Sequence, residues 1–311
     1  MEFNHVPIML TEVIDSLDIK PNGIYVDCTI GGAGHSREIA KRLDKEGMLV
    51  GIDKDETAIQ VCKDRLKVFE CQIKLIHDDF KNIKKALLDL GINKVDGILA
   101  DLGVSSYQID EKERGFSYKQ DAPLDMRMDR TQSLTAYKIV NTYPEKDLLK
   151  ILYDYGEESY AKSIVKNILA YRKNNPINTT SQLVSIIEKS YPAKVLHKGG
   201  SVAKKTFQAL RIETNGELDS LKTALDDMID LLKSKGRLSI ITFHSLEDRL
   251  VKNAFNLHAT DCICPKSLPI CVCNHHAEGV LVNKKPIVPS EKEQKENTRS
   301  TSSKLRVFEK L

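Results

Sequence analysis

Apolar positions alternate between two rhythms over the first hundred residues. Short runs at 24–28 (Ile24-Tyr25-Val26-Asp27-Cys28), 48–52, 73–76 and 95–100 predict strands, the first after the turn signal Pro21-Asn22-Gly23. Helix-period patterns fall between them at about 36–43, 56–66 and 80–90, the last with Ile83, Ala86, Leu87 and Leu90 on one face. This alternation predicts a parallel sheet with right-handed crossovers. The rhythm stops over 113–212, where turn-rich sequence (Arg114-Gly115-Phe116, then Asp121-Ala122-Pro123) precedes helix patterns at 133–142, 145–154, 157–173 and 180–190. It resumes with a helix at 217–234, a strand at 237–243, a helix at 246–256 and a last strand at 305–308. The polar, charged stretch 284–304 reads as a mobile loop. The expectation is an α/β fold: one sheet domain formed by 1–112 and 213–311, interrupted by an all-helical insertion, 113–212.

At 311 residues, 41% hydrophobic, the chain can build its core without disulfide or metal staples. It has no apolar run near the roughly 18 residues that cross a bilayer, and Met1-Glu2-Phe3-Asn4-His5 is unlike a signal peptide. Seven cysteines, three of them isolated at Cys28, Cys62 and Cys71, fit a reduced, cytoplasmic protein. A secreted disulfide scaffold, a membrane protein and a disordered chain are excluded on these grounds. The net charge of +3 says little, but its distribution does. The insertion carries +7 and the remainder −4, and 160–212 holds ten basic residues against one acid, Glu188. A solvated helical face is the plain explanation. The one-sided sign over fifty residues favours a polyanion such as RNA, with Lys198, Lys204, Lys205 and Arg211 as expected contacts.

The sharpest local signal is Asp27-Cys28-Thr29-Ile30-Gly31-Gly32-Ala33-Gly34-His35, between a strand and a helix. In a doubly wound sheet this is the first crossover, where ligands meet the carboxyl ends of the strands. Asp53 ends the second strand, 22 residues after Gly31, where a carboxylate can hold a ribose. The dinucleotide fingerprint fails, because the frame Gly32-Ala33-Gly34-His35-Ser36-Arg37 lacks the third glycine. Asp27 before the loop would repel a pyrophosphate, whereas acids at three strand ends, Asp27, Asp53 and Asp101, suit the ribose, ammonium and sulfonium of S-adenosylmethionine. Phe80, after the third strand, either flanks an adenine ring or belongs to the core. Asp101-Leu102-Gly103-Val104-Ser105-Ser106 lies where a transferred methyl group would point. Methyl transfer to an exocyclic amine needs alignment and an acceptor for the amine's hydrogens. Asp101, the neighbouring carbonyls, Ser105 and Ser106 are the candidates. None of the cysteines lies at this strand end, against a cytosine-C5 mechanism, and no G-x-S-x-G elbow supports a hydrolase. His244, before Ser245-Leu246-Glu247-Asp248, either sits at the rim near a substrate base or merely precedes a helix that Ser245 caps with Asp248 reaching back.

Seven separated blocks, in order and spanning nearly the whole chain, give the sequence a family resemblance. They are His5-Val6-Pro7-Ile8-Met9-Leu10, the loop from Asp27 to Ser36, Asp101 to Ser106, Arg114-Gly115-Phe116-Ser117, Asp121 to Met128, Thr206 to Ile212, and Phe243 to Arg249. The chain resembles the S-adenosylmethionine-dependent cytosine-N4 methyltransferases that modify small-subunit ribosomal RNA in bacteria. The resemblance implies a class I (Rossmann-like) methyltransferase sheet and an RNA-facing helical insertion. It implies cofactor contacts at Ala33, Gly34, His35, Asp53, Phe80, Asp101 and Gln108, and as target a cytidine in the decoding region of 16S ribosomal RNA in the assembled subunit. The Asp/Asn-Pro-Pro-aromatic signature of many amino-methyltransferases is absent, and Asp101-Leu102-Gly103-Val104 stands in its place. The competing readings are a small-molecule or protein methyltransferase, against which the basic insertion argues, and a non-catalytic RNA-binding protein, against which the intact acids argue.

Cys262-x-Cys264 and Cys271-x-Cys273, followed by His275-His276, fall within fifteen residues. Four thiolates this close suit a tetrahedral zinc ion, although C-x-C is a tighter spacing than the common C-x-x-C. Reduced thiols in a loop are the plain alternative.

Overall fold

The computed structural model describes residues 7–196, 201–265, 268 and 270–311. Lys198, one of the expected RNA contacts, lies outside them, as do His5 and Val6. The described chain packs as two compact units, one running up to Gly103 and resuming at Leu218–Leu311, the other Val104–Glu217. These divisions fall nine residues before the expected 112/113 and five after the expected 212/213.

The first unit contains α1 (Leu10–Ser16), β1 (Ile24–Asp27), α2 (Gly34–Ala40), β2 (Met48–Asp53), α3 (Glu56–Leu66), β3 (Gln72–His77), α4 (Ile83–Asp89) and β4 (Val95–Asp101). In the second unit lie α5 (Ser106–Asp110), α6 (Ala136–Thr142), α7 (Glu145–Asp154), α8 (Ala161–Arg172), α9 (Thr180–Glu188), α10 (Ala193–Leu196) and α11 (Lys204–Asn215). The chain then returns through α12 (Glu217–Leu231), β5 (Leu232–Thr242), α13 (Ser245–His258), β6 (Gly279–Leu281), α14 (Glu291–Glu296) and β7 (Lys304–Lys310). The described strands form one sheet, ordered β3-β2-β1-β4-β5-β7-β6. β1 to β5 are parallel, and β7 runs antiparallel to both β5 and β6.

Burial explains this order. β4 is buried along almost its whole length and sits between β1 and β5, as a parallel strand covered on both faces must be. β3, with exposed residues along its length, takes the edge. One apolar layer joins Val26, Ile52 and Ile98 to Ile83, Leu87, Leu225 and Phe255. The opposite layer joins Leu49, Leu99 and Ile241 to Val13, Ile39 and Ile59. The second unit has its own core, centred on Ile139, Leu152, Ile164, Leu183 and Phe207.

Three expectations are corrected and one helix is added. The helix expected to 234 ends at Leu231, because β5 begins at Leu232 and passes through an irregularity around Lys235 (φ 65°) before rejoining β4 at Arg237. The stretch read as a mobile loop, 284–304, folds into α14 and a 3-10 turn, Thr298–Ser302. There Ser300 and Ser303 are buried, and Glu293 accepts a hydrogen bond from the Met9 N–H at 2.8 Å. α11 covers the block Thr206 to Ile212, a helix that the sequence periodicity does not predict. Finally, His244, not Ser245, caps α13: its Nδ1 accepts from the Glu247 N–H while the Glu247 carboxylate accepts from the His244 N–H. Asp248 instead pairs with Arg306 at 2.7 Å and Lys304 at 3.1 Å.

Candidate cofactor site at the carboxyl edge of the sheet

Asp27, Asp53 and Asp101 end three adjacent strands of the first unit, and the loop 28–33 is built around them. The Asp27 side chain is 2% exposed, accepting from Ser36 Oγ at 2.7 Å and from the Thr29 N–H at 3.1 Å. It therefore shapes the loop from beneath and does not stand open to a ligand's cation as expected. Thr29 Oγ1 accepts from the Asp101 N–H at 2.7 Å, tying the loop to β4. Asp53 accepts from the Gly31 N–H and the Asp55 N–H, each at 2.8 Å. Two loop carbonyls are drawn toward α3, that of Gly31 by Cys62 Sγ at 3.2 Å and that of Gly32 by Arg65 Nη1 at 2.8 Å.

Gly31 has φ 48° and Ala33 φ 62°, both left-handed. Ala33 is wholly buried, so a larger side chain has no room there, and its backbone conformation is strained for a residue with a Cβ. Gly34 is required for another reason, since a Cβ there would run into the Pro7 ring. His35 is 6% exposed and its Nε2–H donates to the Ile8 carbonyl at 2.9 Å, so its ring packs inward. Its Nδ1 lies 3.7 Å from Asp101 Oδ2.

Asp101 Oδ1 is buried and has no hydrogen-bond partner among the described residues. Such an orphaned acceptor is costly unless something else reaches it. Burial, with Asp27 and Glu247 nearby, pushes the Asp101 carboxyl up to about 8. Burial likewise pushes Asp27 and Asp53 up to about 6, against the hydrogen bonds that each accepts. Of these carboxyls, Asp53 and Asp101, held above the usual range at one sheet edge, are the ones that a nearby cation would relieve.

Phe80 opens a 3-10 turn after β3, half-buried against the core, with Lys54 Nζ 5.9 Å from its ring centroid. Lys54 is fixed by Asp79 at 2.9 Å, and Ser220 Oγ donates to the same carboxylate at 2.7 Å. Thr29, Ser36, Lys54 and Glu247 were not singled out from the sequence. Thr29, Ser36 and Glu247 lie inside the quoted blocks, where a short polar side chain beside a loop acid was the available signal. The acceptor set fits S-adenosylmethionine: an unpaired carboxylate oxygen at Asp101, an acid at the end of β2 for a ribose, and backbone approach at Gly31 to Gly34.

Ser105, Ser106 and Gln108 belong to the second unit. Ser105 caps α5, accepting from the Gln108 N–H at 3.2 Å while the Gln108 amide oxygen accepts from the Ser105 N–H at 3.0 Å. In the same unit the blocks at 114 and 121–128 form one latch. The buried Arg114 guanidinium donates to the carbonyls of Arg127 and Met128, and Asn215 bonds both Met126 and Met128. Lys204 and Lys205 are exposed at the start of α11. Arg211 corrects an expectation: its guanidinium makes two 2.9 Å bonds to Glu217, and its side chain is only 17% exposed. It fastens the α11–α12 turn and does not present itself to phosphate. The thiols of Cys262, Cys264, Cys271 and Cys273 come together, all within 4.8 Å of one another. No described helix is long and apolar enough to cross a membrane.

Residues 2–311 match the sequence profile of the MraW methylase family. A ribosomal RNA small subunit methyltransferase H of Clostridioides difficile (strain 630) is 53% identical over 311 residues, covering all of both chains. A protein of the same name from Finegoldia magna is 55% identical over 312 residues, again covering both fully. A solved rRNA methylase from Streptococcus thermophilus is a far more distant likeness, 12% identical with a TM-score of 0.42 over 97% of this chain and 92% of its own.

Proposed function

The chain belongs to the MraW methylase family, and from that premise we propose that it transfers a methyl group from S-adenosylmethionine to the N4 amine of a cytidine in small-subunit (16S) ribosomal RNA. The target nucleotide in the decoding region, the assembled subunit as substrate and a cytoplasmic setting belong to the same proposal. The full-length similarity to proteins named ribosomal RNA small subunit methyltransferase H supports the RNA class. The observation that carries the chemistry is Asp101 Oδ1, a buried acceptor without a partner at the carboxyl edge of β4.

When bound, the cofactor supplies an electrophilic methyl on a sulfonium. The residues that would hold it are Asp53 for the ribose, the backbone of Gly31 to Gly34, Phe80 beside the base, and Asp101. Gln108 stays a candidate on the resemblance alone. Asp27, through Ser36 and Thr29, fixes the loop that makes these contacts. Thr29 fixes the backbone at Asp101. A neighbouring positive charge favours the ionised Asp101 carboxylate, whose Oδ1 can then accept an N–H of the target amine and keep its lone pair available. Ser105 and Ser106 remain candidates to assist from the segment that follows, and His244 to lie beside the base. Its Nδ1 is already the acceptor for the α13 backbone, and its Nε2 lies 3.1 Å from Glu247. On the second unit, Lys204 and Lys205 are the proposed phosphate contacts, with Lys198 proposed from its charge alone.

The test is transfer of label from S-adenosylmethionine to small ribosomal subunits from cells lacking this activity, followed by identification of the nucleoside by mass spectrometry. N4-methylcytidine is expected. Label on another nucleoside would overturn the N4 assignment, and an absence of label on RNA would move the acceptor to protein or small molecules.

A further inference from the structure

The segment between α13 and β6 is closed at its base, and none of its described apolar side chains is buried in a core. The Glu278 N–H donates to the His258 carbonyl at 2.7 Å, and the His258 ring is held by Glu278 at 2.8 Å and Asp226 at 3.0 Å. Between these ends the apolar side chains face water: Ile263 is 53% exposed, Ile270 75% and Val272 70%. Among the described residues, hydrophobic burial therefore does not order this excursion. Four thiols nonetheless converge inside it. Cys262 Sγ lies 3.4 Å from Cys271 Sγ and 3.8 Å from Cys273 Sγ, and the last two are 3.5 Å apart. Cys264 Sγ completes the group and accepts the Val272 N–H at 3.4 Å, a bond of the kind that steadies a metal-bound thiolate. A tetrahedral zinc with bonds of about 2.3 Å separates its sulfurs by about 3.8 Å, close to these spacings. His275 is not needed, since its Nε2 is bonded to the Leu257 carbonyl at 3.0 Å. The other cysteines, Cys28, Cys62 and Cys71, are buried apart from the group.

We propose that Cys262, Cys264, Cys271 and Cys273 bind one zinc ion in a closed, four-thiolate structural site that folds the 258–278 excursion. This goes beyond methyl transfer: with every coordination position filled by protein, the ion has no opening for substrate, and its work is to stand in for the core that the excursion's described residues lack. Two disulfides are the competing use of four adjacent thiols.

The untagged wild-type protein, purified without chelators from zinc-supplemented cells, decides between these. Elemental analysis is expected to give about one zinc per chain, and denaturing mass spectrometry the mass of a fully reduced chain. Stripping the metal with a mercurial and chelator should expose 258–278 to protease at least about tenfold faster, with zinc restoring protection. Cys264→Ser with Cys271→Ser should abolish zinc retention. Zinc below about a tenth of an equivalent in the wild-type chain, another metal in its place, or a mass four hydrogens short of the reduced chain would each overturn the proposal. The wild-type measurements stand even where the variant misfolds.

Discussion

Asp101 and Asp53 sit at neighbouring strand ends with different duties. Both oxygens of Asp53 hold backbone N–H groups of the loop and of the start of α3, whereas Asp101 leaves Oδ1 unmatched. Asp53→Ala should therefore weaken S-adenosylmethionine binding by about 1–3 kcal/mol, the loss of a charged hydrogen bond, and also loosen the loop. Calorimetry with unchanged affinity would refute the ribose assignment. Ala33 offers a test of backbone strain. A left-handed conformation costs an L residue roughly 1–2 kcal/mol and glycine nothing, while glycine's added freedom in the unfolded chain takes back part of the gain. Ala33→Gly should leave stability unchanged or raise it by up to about 1 kcal/mol. A large drop in the denaturation midpoint would show that the Ala33 methyl is needed for packing.

Among the elements, α11 shows what sequence patterning conceals. Its residues were legible as a motif but not as a helix, because its apolar positions Phe207, Ala209, Leu210 and Ile212 crowd one stretch among lysines and threonines, blurring the helical period. Charge alone also could not separate its cations. Lys204 and Lys205 are exposed at its start, while Arg211 is bound to Glu217 at its end. The two sets should respond differently. Reversing Lys204 and Lys205 to Glu should weaken RNA binding and reduce the salt slope of log K by about two, with stability lowered by no more than about 1 kcal/mol through loss of the exposed Lys205 Nζ bond to the Glu157 carbonyl. Arg211→Ala leaves Glu217 largely buried without its partner, and should cost about 3 kcal/mol or more of stability. Salt-dependent binding isotherms and chemical denaturation of both variants check this, and exchanged phenotypes would contradict it. The same limit applies at 244–248, where spacing marked a capping box but a histidine cap was not anticipated.

Across the whole molecule, the parallel strands were legible because buried runs and turn signals are local, whereas their order in the sheet required the fold. The ordering of 284–304 was not legible, since it depends on Glu293 reaching the Met9 N–H and on Ser303 reaching the Met9 sulfur. The cofactor acids were legible as residues, yet their division into a loop-shaping Asp27 and an Asp101 with an unpaired oxygen required the fold. That division has a pH consequence. Asp27 and Asp53 are raised to about 6 and Asp101 to about 8, so the folded state holds protons that the unfolded chain has released. Stability of the ligand-free protein should fall as pH rises from about 4 through about 8, and S-adenosylmethionine should bind more tightly over that rise while releasing protons. Denaturation and calorimetry across this range test both, and a stability that climbs with pH there would reverse the sign. The central claim rests on Asp101 and is tested most directly by the single-turnover methylation rate of Asp101→Asn, measured beside its cofactor affinity and thermal midpoint. The account predicts a rate at least about 100-fold below wild type, with the fold retained. A wild-type rate in that variant would contradict it.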